Sequence, residues 1–414
     1  MDELIRSIAQ REPVRPAPSG DGSRPRMLHV ITRLANGGAG ENTLFTVNGL
    51  DKRKYDVDLA IGGGSEPGLL RKYGLAEAVK LFVIEHLARD PSISEELPAY
   101  REIRRLIRAG GYSVVHTHGA KAGILARLAA HAEGVPVVIN GIHGITFSRE
   151  MPFLKRRLFL ALERFTARRT THFVSVGEDI KQKYLRAGVG SAAQYRVVHS
   201  GMDLERFHRA GDAPPEHRRA LRRELGLAES DLVVGKVSRL EPRKGYDFFL
   251  EAARGLISDY PADAAGRRVR FLVVGDGPEY DRIRARVAEL GLDDRFVFTG
   301  YRSDVPELLS VCDVVCLTSL WEGLPRVLVE ASAVGLPAVT FDVDGAWEVV
   351  EEGRNGFIVP TRDSAAVAER LYRLVSSEEL RVRMSAAART KVDESWSAAT
   401  MVRRLEELYE EALS

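Results

Sequence analysis

Two glutamates eight residues apart, Glu322 and Glu330, are the side chains whose type and spacing most directly suggest chemistry. Glu322 follows an apolar run typical of a buried parallel strand and precedes a Gly-Leu-Pro turn. A helix is expected to begin near Pro325, so that the amides of Gly323 and Leu324 lie at its positive end, where an anion can bind. Helical geometry over eight residues places the two carboxylates on nearby faces, about 12 Å apart. The pattern suits an elongated ligand with hydroxyls at both ends and phosphate between them, such as a sugar nucleotide.

Each glutamate alone has an ordinary structural explanation. Glu322 could cap the helix, and Glu330 could be a solvated surface residue. Because both follow the same buried strand, their combination favours a binding site.

Two cations bracket an earlier strand-to-helix turn. Arg239 ends an apolar strand, and Lys244 precedes the helix that is expected to begin at Tyr246. Such a pair can offset the charge of a diphosphate in the ground state and as its bond to a sugar breaks. Either cation alone would be an ordinary surface residue.

The first half of the chain has two loops of a kind that binds ligands. Gly37 and Gly38 lie in a glycine-rich loop between an apolar strand and a helix, an order that aims backbone amides at phosphate. Glycines also mark plain tight turns, so this loop is a weak signal by itself. His143 follows another strand, at the end where open α/β sheets bind ligands. For His116 and His118, at the end of a third strand, a structural role is expected.

Apolar strands and amphipathic helices alternate twice, on either side of a hinge expected near Met202. This order predicts an α/β protein with two Rossmann-like domains, over residues 27–203 and 204–396, and 414 residues are enough for both. Residues 1–26 are rich in Arg, Pro, Gly and Ser and lack the apolar segment of a signal peptide. They are expected to form a flexible tail.

Composition narrows the class of protein. Hydrophobic residues at 44% and charged residues at 29% are typical of a soluble globular protein, and no run of 18 apolar residues suggests a membrane-spanning helix. The two cysteines, Cys312 and Cys316, are four residues apart in an expected strand, a spacing unsuited to a disulfide. We therefore expect buried thiols and a cytoplasmic location.

The net charge of +2 conceals a basic block, since residues 101–196 contain 17 basic and 6 acidic side chains. Such a block suggests an anionic partner, but no nucleic-acid-binding motif accompanies it, so nucleic acid is not expected. Within the block, residues 153–169 are expected to form a helix with one apolar and one basic side. That helix could rest on anionic lipid as a peripheral contact, and a helix packed on the core with a charged exterior explains the pattern equally well.

Together, these motifs resemble those of glycosyltransferase family 4, and the resemblance covers about Met27 to Glu411. It implies the GT-B fold, in which two Rossmann-like domains face each other across a cleft and the last helix, here 397–413, returns to the first domain. One departure is the hinge motif, where Ser200 and Met202 replace the Asn and Val of the family's Asn-Gly-Val-Asp.

The resemblance implies roles for five side chains. Glu322 matches the residue that contacts the donor sugar, and Glu330 matches the one that contacts the ribose. Arg239 and Lys244 match the diphosphate clamp, and His143 matches an essential histidine that would position the acceptor or the sugar.

Three further residues receive a role by the same resemblance. Gly37 and Gly38 would lie near the donor phosphates and the acceptor, and either Tyr301 or Arg302 would border the nucleotide base. The expected donor-binding residues are thus Gly37, Gly38, Arg239, Lys244, Arg302, Glu322, Gly323, Leu324 and Glu330, and the expected catalytic residues are His143, Glu322, Arg239 and Lys244.

The reaction implied is transfer of a sugar from a UDP- or GDP-linked donor to an acceptor hydroxyl, with retention of the anomeric configuration. No carboxylate is clearly placed as a covalent nucleophile, so front-face attack assisted by the donor phosphate is favoured. Asp342 and Asp344 are spaced like a metal-binding Asp-x-Asp motif, but Arg239 and Lys244 already supply the positive charge. We expect no cofactor and no required metal, and a lipid-linked or carbohydrate acceptor in surface polysaccharide or glycolipid assembly.

Two alternatives remain open. One is a sugar-nucleotide epimerase or hydrolase of the GT-B type, which product analysis with labelled donor would separate from a transferase. The other is an inactive nucleotide-sugar-binding scaffold, and the complete set of Glu322, Glu330, Arg239 and Lys244 argues against it.

Overall fold

The structure is a computed structural model that describes residues 2–16, 24–88, 93–148, 151–260 and 267–414. It divides into two compact units. Unit 1 comprises Met1–Met202 together with Trp396–Ser414, and unit 2 comprises Asp203–Ser395.

Unit 1 is built on one parallel sheet with helices on both faces. Its seven strands are ordered β3-β2-β1-β4-β5-β6-β7, so the order reverses between β1 and β4. The strands are β1 (Arg26–Ile31), β2 (Asp56–Gly62), β3 (Lys80–Ile84), β4 (Val114–His118), β5 (Val137–Ile142), β6 (His172–Ser175) and β7 (Tyr195–Val197). The helices are α1 (Glu3–Gln10), α2 (Gly38–Gly49), α3 (Gly68–Tyr73), α4 (Ile93–Gly110), α5 (Ala120–Ala132), α6 (Phe153–Ala167) and α7 (Glu178–Arg186).

The expectation of a flexible tail over residues 1–26 is wrong for the described part of that segment. Asp2 caps α1 by accepting a hydrogen bond from the amide of Leu4, and Ile5 is buried in the core of unit 1. Farther along, Arg15 pairs with Asp58 at 2.6 Å. The Arg- and Pro-rich composition of this segment hid the pattern of one amphipathic helix. Burial of its apolar face, with Ile5 at the centre, stabilises that helix.

Unit 2 repeats the architecture with six parallel strands ordered β10-β9-β8-β11-β12-β13, and this order reverses between β8 and β11. The strands are β8 (Leu232–Val237), β9 (Val269–Val274), β10 (Phe296–Phe298), β11 (Val314–Leu317), β12 (Ala338–Phe341) and β13 (Gly356–Val359). The helices are α8 (Leu204–Gly211), α9 (Pro215–Glu224), α10 (Tyr246–Ser258), α11 (Tyr280–Glu289), α12 (Val305–Ser310), α13 (Arg326–Val334), α14 (Ala346–Val349), α15 (Ser364–Ser376) and α16 (Glu378–Lys391). The prediction of two Rossmann-like domains is confirmed.

The last helix, α17 (Ala398–Leu413), belongs to unit 1. It packs against α2, and Met401, Leu405 and Tyr409 are buried in the same apolar core as β1 and β2. Ser397 caps the helix by accepting from the amide of Thr400. The chain therefore crosses out of unit 1 after Met202 and re-enters it at Trp396.

None of the described helices is both long enough and apolar enough to cross a lipid bilayer.

Candidate functional site

Apart from Arg302, which follows β10, the expected donor-binding residues of unit 2 follow two neighbouring strands. β8 and β11 pair in parallel, so the loops after Val237 and Leu317 leave the sheet at the same edge. The strand order reverses between these two strands, and that is where open α/β sheets bind ligands.

A buried lysine fixes the two loops against each other. The ammonium of Lys236, in β8, donates to Oγ1 of Thr318 at 2.8 Å and to the carbonyl of Lys244 at 3.0 Å. The side chain is 1% exposed, and burial lowers the pKa of its ammonium to about 7. The side chain of Lys236 thus links the loop after β8 to the loop after β11 from the buried side of both loops.

Gly245 makes the sharp turn that brings Lys244 into place. Its φ of 59° lies in the left-handed region, and a Cβ on this residue would lie 2.0 Å from the carbonyl oxygen of Thr318. Glycine is required here both by the backbone conformation and by the close approach of the neighbouring loop.

Lys244 and Glu322 form an ion pair across these loops, with Nζ 2.6 Å from Oε1. Glu322 also lies 3.7 Å from the guanidinium of Arg243, and its side chain is 10% exposed. Burial would raise the pKa of the Glu322 carboxyl, but the charges of Lys244 and Arg243 outweigh it and lower that pKa. The carboxylate is ionised and held in one orientation.

The ion pairs continue from Glu322 to the rim of the site. Arg243 contacts Glu241 as well as Glu322, and Arg239 lies 4.0 Å from Glu241. The side chain of Arg239 is 60% exposed, in contrast to the nearly buried Lys244. The three cations and two carboxylates of these ion pairs give the site a net positive charge, which suits an anionic ligand.

The helix after Glu322 begins close to the expected position. α13 begins at Arg326, with Pro325 as its N-cap, so Gly323 and Leu324 lie in the preceding loop. Glu330 is on the helix, 17% exposed and 4.0 Å from Arg326. Because Glu322 is outside the helix, the helical estimate of the distance between the two glutamates does not hold.

Arg302 is placed differently from the other predicted residues of unit 2. Its guanidinium pairs with Asp304 at 2.6 Å and with Glu224 at 3.2 Å. The neighbouring Tyr301 is 65% exposed.

In unit 1, Gly37 and Gly38 mark the beginning of α2. Gly37 is the N-cap, with a φ of 141°, and the helix starts at Gly38, so Gly38 belongs to the helix and not to the loop before it. A Cβ on Gly37 would meet nothing within 4 Å, so the backbone conformation alone calls for glycine. The amides of the first turn of α2 follow β1, at the point where the strand order of unit 1 reverses.

His143 follows β5 and is connected to a buried group of histidines. Its Nε2 lies 3.1 Å from Nδ1 of His118, and Nε2 of His118 lies 3.1 Å from Nδ1 of His29. His116 is beside them, with Nδ1 2.7 Å from the hydroxyl of Tyr409. Burial, followed by the neighbouring imidazoles, lowers the pKa of His29, His116 and His118 well below the ordinary 6.5, so these rings are neutral at pH 7.

The spacing of the three buried histidines is also compatible with a metal ion. One ring nitrogen from each of His29, His116 and His118 lies within 4.8 Å of the others. Two of those rings are hydrogen-bonded to each other, which requires a proton between their nitrogens. The structure therefore supports a hydrogen-bonded group of imidazoles at this place.

The helix of the basic block, α6, ends at Ala167 and exposes apolar side chains. Leu154, Leu158 and Phe165 are 78%, 59% and 49% exposed. The opposite face is fixed by an ion pair between Glu163 and Arg127, both buried, at 2.7 Å. The expected apolar side of the helix thus points away from the core at these three positions.

Sequence reasoning missed four residues of these sites: Lys236, Arg243, His29 and Tyr409. A lysine inside an otherwise apolar strand was a usable signal for Lys236, since a buried charge needs partners. His29 carried no such signal, because it depends on the pairing of β1 with β4, which places it opposite His116.

Comparison with known proteins covers both units. The family described as "Glycosyl transferase 4-like domain" matches residues 37–201, and the family described as "Glycosyl transferases group 1" matches residues 217–391. The chain is 28% identical to the UDP-Gal:alpha-D-GlcNAc-diphosphoundecaprenol alpha-1,3-galactosyltransferase of Escherichia coli, over 94% of this chain and 97% of that protein.

Two further proteins extend the comparison. The chain is 30% identical to the D-inositol 3-phosphate glycosyltransferase of Saccharomonospora viridis, over 74% of this chain and 71% of that protein. The crystal structure of Anabaena HepE in complex with UDP-glucose has a TM-score of 0.78 and 22% identity, and the alignment covers 93% of this chain and 99% of that one. This last likeness is one of fold.

Proposed function

Because the chain belongs to glycosyltransferase family 4 and has its GT-B fold, we propose that it transfers a hexosyl group from a nucleotide diphosphate sugar to an acceptor hydroxyl, with retention of configuration. The observation that carries the proposal is the pairing of Lys244 with Glu322 where β8 and β11 end. A cation and an ionised acid are held side by side there, one suited to a phosphate and the other to a sugar hydroxyl.

The proposed diphosphate site is this series of ion pairs, which carries a net positive charge. Arg239, Arg243 and Lys244 exceed the two carboxylates between them by one charge, and Arg239 is exposed at the rim. As the bond to the sugar breaks, negative charge grows on the leaving diphosphate, and cations already in position stabilise it. The amides of Gly323 and Leu324, just before α13, add donors for the same oxygens.

The two glutamates are proposed to hold the two ends of the donor. Glu322 accepts from a hydroxyl of the sugar, and its pairing with Lys244 places that hydroxyl next to the phosphates. Glu330, on α13, accepts from the ribose. The alternative of a covalent nucleophile at Glu322 is not favoured, because Lys244 and Arg243 already engage its carboxylate oxygens.

Retention is therefore proposed to proceed by front-face attack, with a phosphate oxygen of the donor taking the proton of the acceptor hydroxyl. No metal is assigned to this step, since the cations of the site provide the positive charge that stabilises the leaving group. Activity that survives dialysis against excess EDTA is the expected result, and activity restored only by Mg²⁺ or Mn²⁺ would contradict it.

We propose that the acceptor is lipid-linked or otherwise presented at the inner face of a membrane, and that α6 is the docking surface. Leu154, Leu158, Ala161 and Phe165 recur at helical spacing and form an exposed apolar stripe, to which we give the name α6 stripe. Exposed cations flank it, namely Lys155, Arg157, Arg164 and Arg168. The apolar stripe can insert into a lipid surface, and the basic side chains beside it attract anionic headgroups.

The proposal is tested by calorimetry against a panel of nucleoside diphosphates, followed by product analysis with labelled donor. Binding of UDP or GDP is expected in the wild type, with a Lys244→Met variant weakened at least tenfold for the diphosphate but not for the uncharged nucleoside. Arg383→Met, an exposed cation of α16, is the matched control. Label released only as free sugar or as an isomerised donor, for every acceptor tried, would indicate a hydrolase or epimerase.

A further inference from the structure

The loop after β5, residues 143–148, is held from its buried side by an ion pair inside unit 1. Oε2 of Glu163, in α6, lies 2.7 Å from a terminal nitrogen of Arg127, in α5, and both side chains are buried. The other carboxylate oxygen, Oε1, accepts from the hydroxyl of Thr146 at 3.3 Å. One buried carboxylate therefore contacts both the core of unit 1 and the loop.

Tyr184, in α7, holds the same loop at two further points. Its hydroxyl accepts from the amide of Thr146 at 3.3 Å and donates to the carbonyl of Gly144, also at 3.3 Å. The hydroxyl of Thr146 lies 3.0 Å from it. Burial raises the pKa of Tyr184, so the phenol keeps the proton that it donates. We use the name loop brace for Thr146, Glu163 and Tyr184.

The brace fixes a stretch that has no regular secondary structure. β5 ends at Ile142, and residues 143–148 form neither helix nor strand. Such a segment can take several conformations, and contacts with the rest of the protein select one of them. Besides the brace, Phe147 packs on the ring of Tyr184, with the centroids 4.8 Å apart. The shape of the loop thus depends on a few buried side chains behind it.

The loop lies where unit 1 can receive a ligand. It follows β5 at the carboxyl edge of the parallel sheet, beside the end of β4, and open α/β sheets bind ligands at that edge. Thr170 also contacts Arg127, but it precedes β6 and lies toward the opposite edge of the sheet. The buried ion pair therefore has one threonine on the ligand side and one on the far side.

We propose that the loop brace positions the loop after β5 for the acceptor, so that Thr146, Glu163 and Tyr184 control the affinity for the acceptor from the buried side of the loop. The acceptor role rests on the proposed function, whereas the anchoring of the loop does not. A loosened loop takes the binding-competent shape for only part of the time, and the apparent affinity falls by that fraction. Saturating acceptor selects the competent shape again, so kcat is retained.

Thr146→Val tests the brace with little change in volume, because it replaces the hydroxyl by a methyl group. We expect KM for the acceptor to rise about fivefold, the effect of one lost hydrogen bond on the competent fraction, while kcat changes less than about twofold. Thr146→Ser keeps a hydroxyl and should restore KM. The measurement is transfer of labelled sugar from a UDP- or GDP-hexose to octyl glycosides.

Thr170→Val is the matched control, since it removes a hydroxyl from the same ion pair on the side away from the loop. It should lower thermal stability about as much as Thr146→Val does and leave KM for the acceptor unchanged. Equal rises of KM in the two variants would show that the ion pair acts only through the stability of unit 1, and would overturn the proposal. An unchanged KM in Thr146→Val would overturn it as well.

Hydrogen exchange of the full chain, followed by mass spectrometry, tests the anchoring without any substrate. We expect peptides that contain residues 143–148 to exchange faster in Thr146→Val and in Tyr184→Phe than in the wild type or in Thr170→Val. Tyr184→Phe keeps the test valid if Thr146→Val fails to fold. Exchange at the wild-type rate in the folded variants would overturn the brace.

The two measurements separate the loop from the reaction. A wild-type chain that transfers label to no glycoside, in a protein whose brace variants show the faster exchange, would count against the proposed function and leave the anchoring standing. Transfer by the wild type with the same KM in every variant would leave the proposed function standing and overturn the positioning role.

Discussion

The ammonium of Lys236 lies 2.8 Å from Oγ1 of Thr318 and joins the end of β8 to the end of β11 from inside unit 2. The same ammonium donates to the carbonyl of Lys244, the residue that pairs with Glu322. A buried side chain without any proposed contact to substrate thus sets the separation of the two loops that form the donor site.

Lys236→Met is expected to weaken nucleoside diphosphate binding by roughly tenfold, about 1.4 kcal/mol, because the loops lose their common support. Thr318→Val removes one of the two hydrogen bonds and should give a smaller loss of affinity. Calorimetry with the diphosphate that binds the wild type measures both. Wild-type affinity in the folded Lys236→Met variant would contradict the supporting role.

Glu330→Ala is expected to weaken nucleoside diphosphate binding by about 1–3 kcal/mol, the cost of a lost hydrogen bond to a charged group. The effect should be absent with a 2′,3′-dideoxy analogue, which lacks the ribose hydroxyls. Glu379→Ala, on the exposed side of α16, is the matched control. An equal loss of affinity for both nucleotides would mean that Glu330 acts on something other than the ribose.

Replacing the α6 stripe with Ser at Leu154, Leu158 and Phe165 is expected to reduce binding to phosphatidylglycerol vesicles by roughly tenfold or more, since each side chain loses apolar burial in the bilayer. Val382→Ser removes an apolar side chain that is 64% exposed in unit 2 and should have no effect. Vesicle co-sedimentation measures the binding. Unchanged binding in the triple variant would exclude α6 as the docking surface.

Charge reversal separates the electrostatic part of the same contact. With Glu at Arg156, Arg157, Arg168 and Arg169, binding to anionic vesicles should be lost. Vesicles of phosphatidylcholine alone provide the control, because they lack the surface charge that these side chains meet.

Stability is expected to fall as the pH is lowered below about 6.5, the ordinary histidine value. Burial lowers the pKa of His29, His116 and His118, so between the folded and the unfolded pKa the unfolded chain binds more protons. The stabilisation is complete above 6.5 and is lost as the pH falls toward the folded values, by at most about 1.4 kcal/mol per pH unit for each ring. Urea unfolding from pH 7 to pH 5 measures it, and His29→Phe should flatten the slope. A free energy of unfolding that stays constant over this range would show that the rings take up protons in the fold as readily as in the unfolded chain.

The ion pairs of unit 2 illustrate what the sequence can and cannot predict. Arg239, Lys244 and Glu322 follow apolar segments, and this change from apolar to charged residues can be seen in the sequence. Lys236 and Arg243 were not predicted, because their side chains contact the loop after β11. The pairing of β8 with β11 brings that loop beside them, and this pairing cannot be seen in the sequence.

One helix and the first residue of another differ from the prediction. α1 was missed because eight residues are too few to stand out from an Arg- and Pro-rich surrounding, and its burial depends on tertiary contacts of Ile5. Gly38 was expected in the loop before α2, since glycine is a poor helix former, yet it is the first residue of the helix.

The buried histidines of unit 1 were the hardest feature to predict from the sequence. His116 and His118 were expected to be structural, and His143 was singled out only for its loop. Nothing along the chain indicates that His29 lies opposite His116, because the register of two parallel strands is set by the whole sheet.

The return of α17 to unit 1 has a consequence for synthesis of the protein. Tyr409 and Leu405 fill the core of unit 1, yet the ribosome makes them after all of unit 2. Unit 2 is one continuous segment of the chain, so it can fold as soon as Ser395 has left the ribosome. The domain that is translated first is therefore the one that matures last, and a nascent chain stalled before Trp396 would carry an open apolar groove where its final helix belongs.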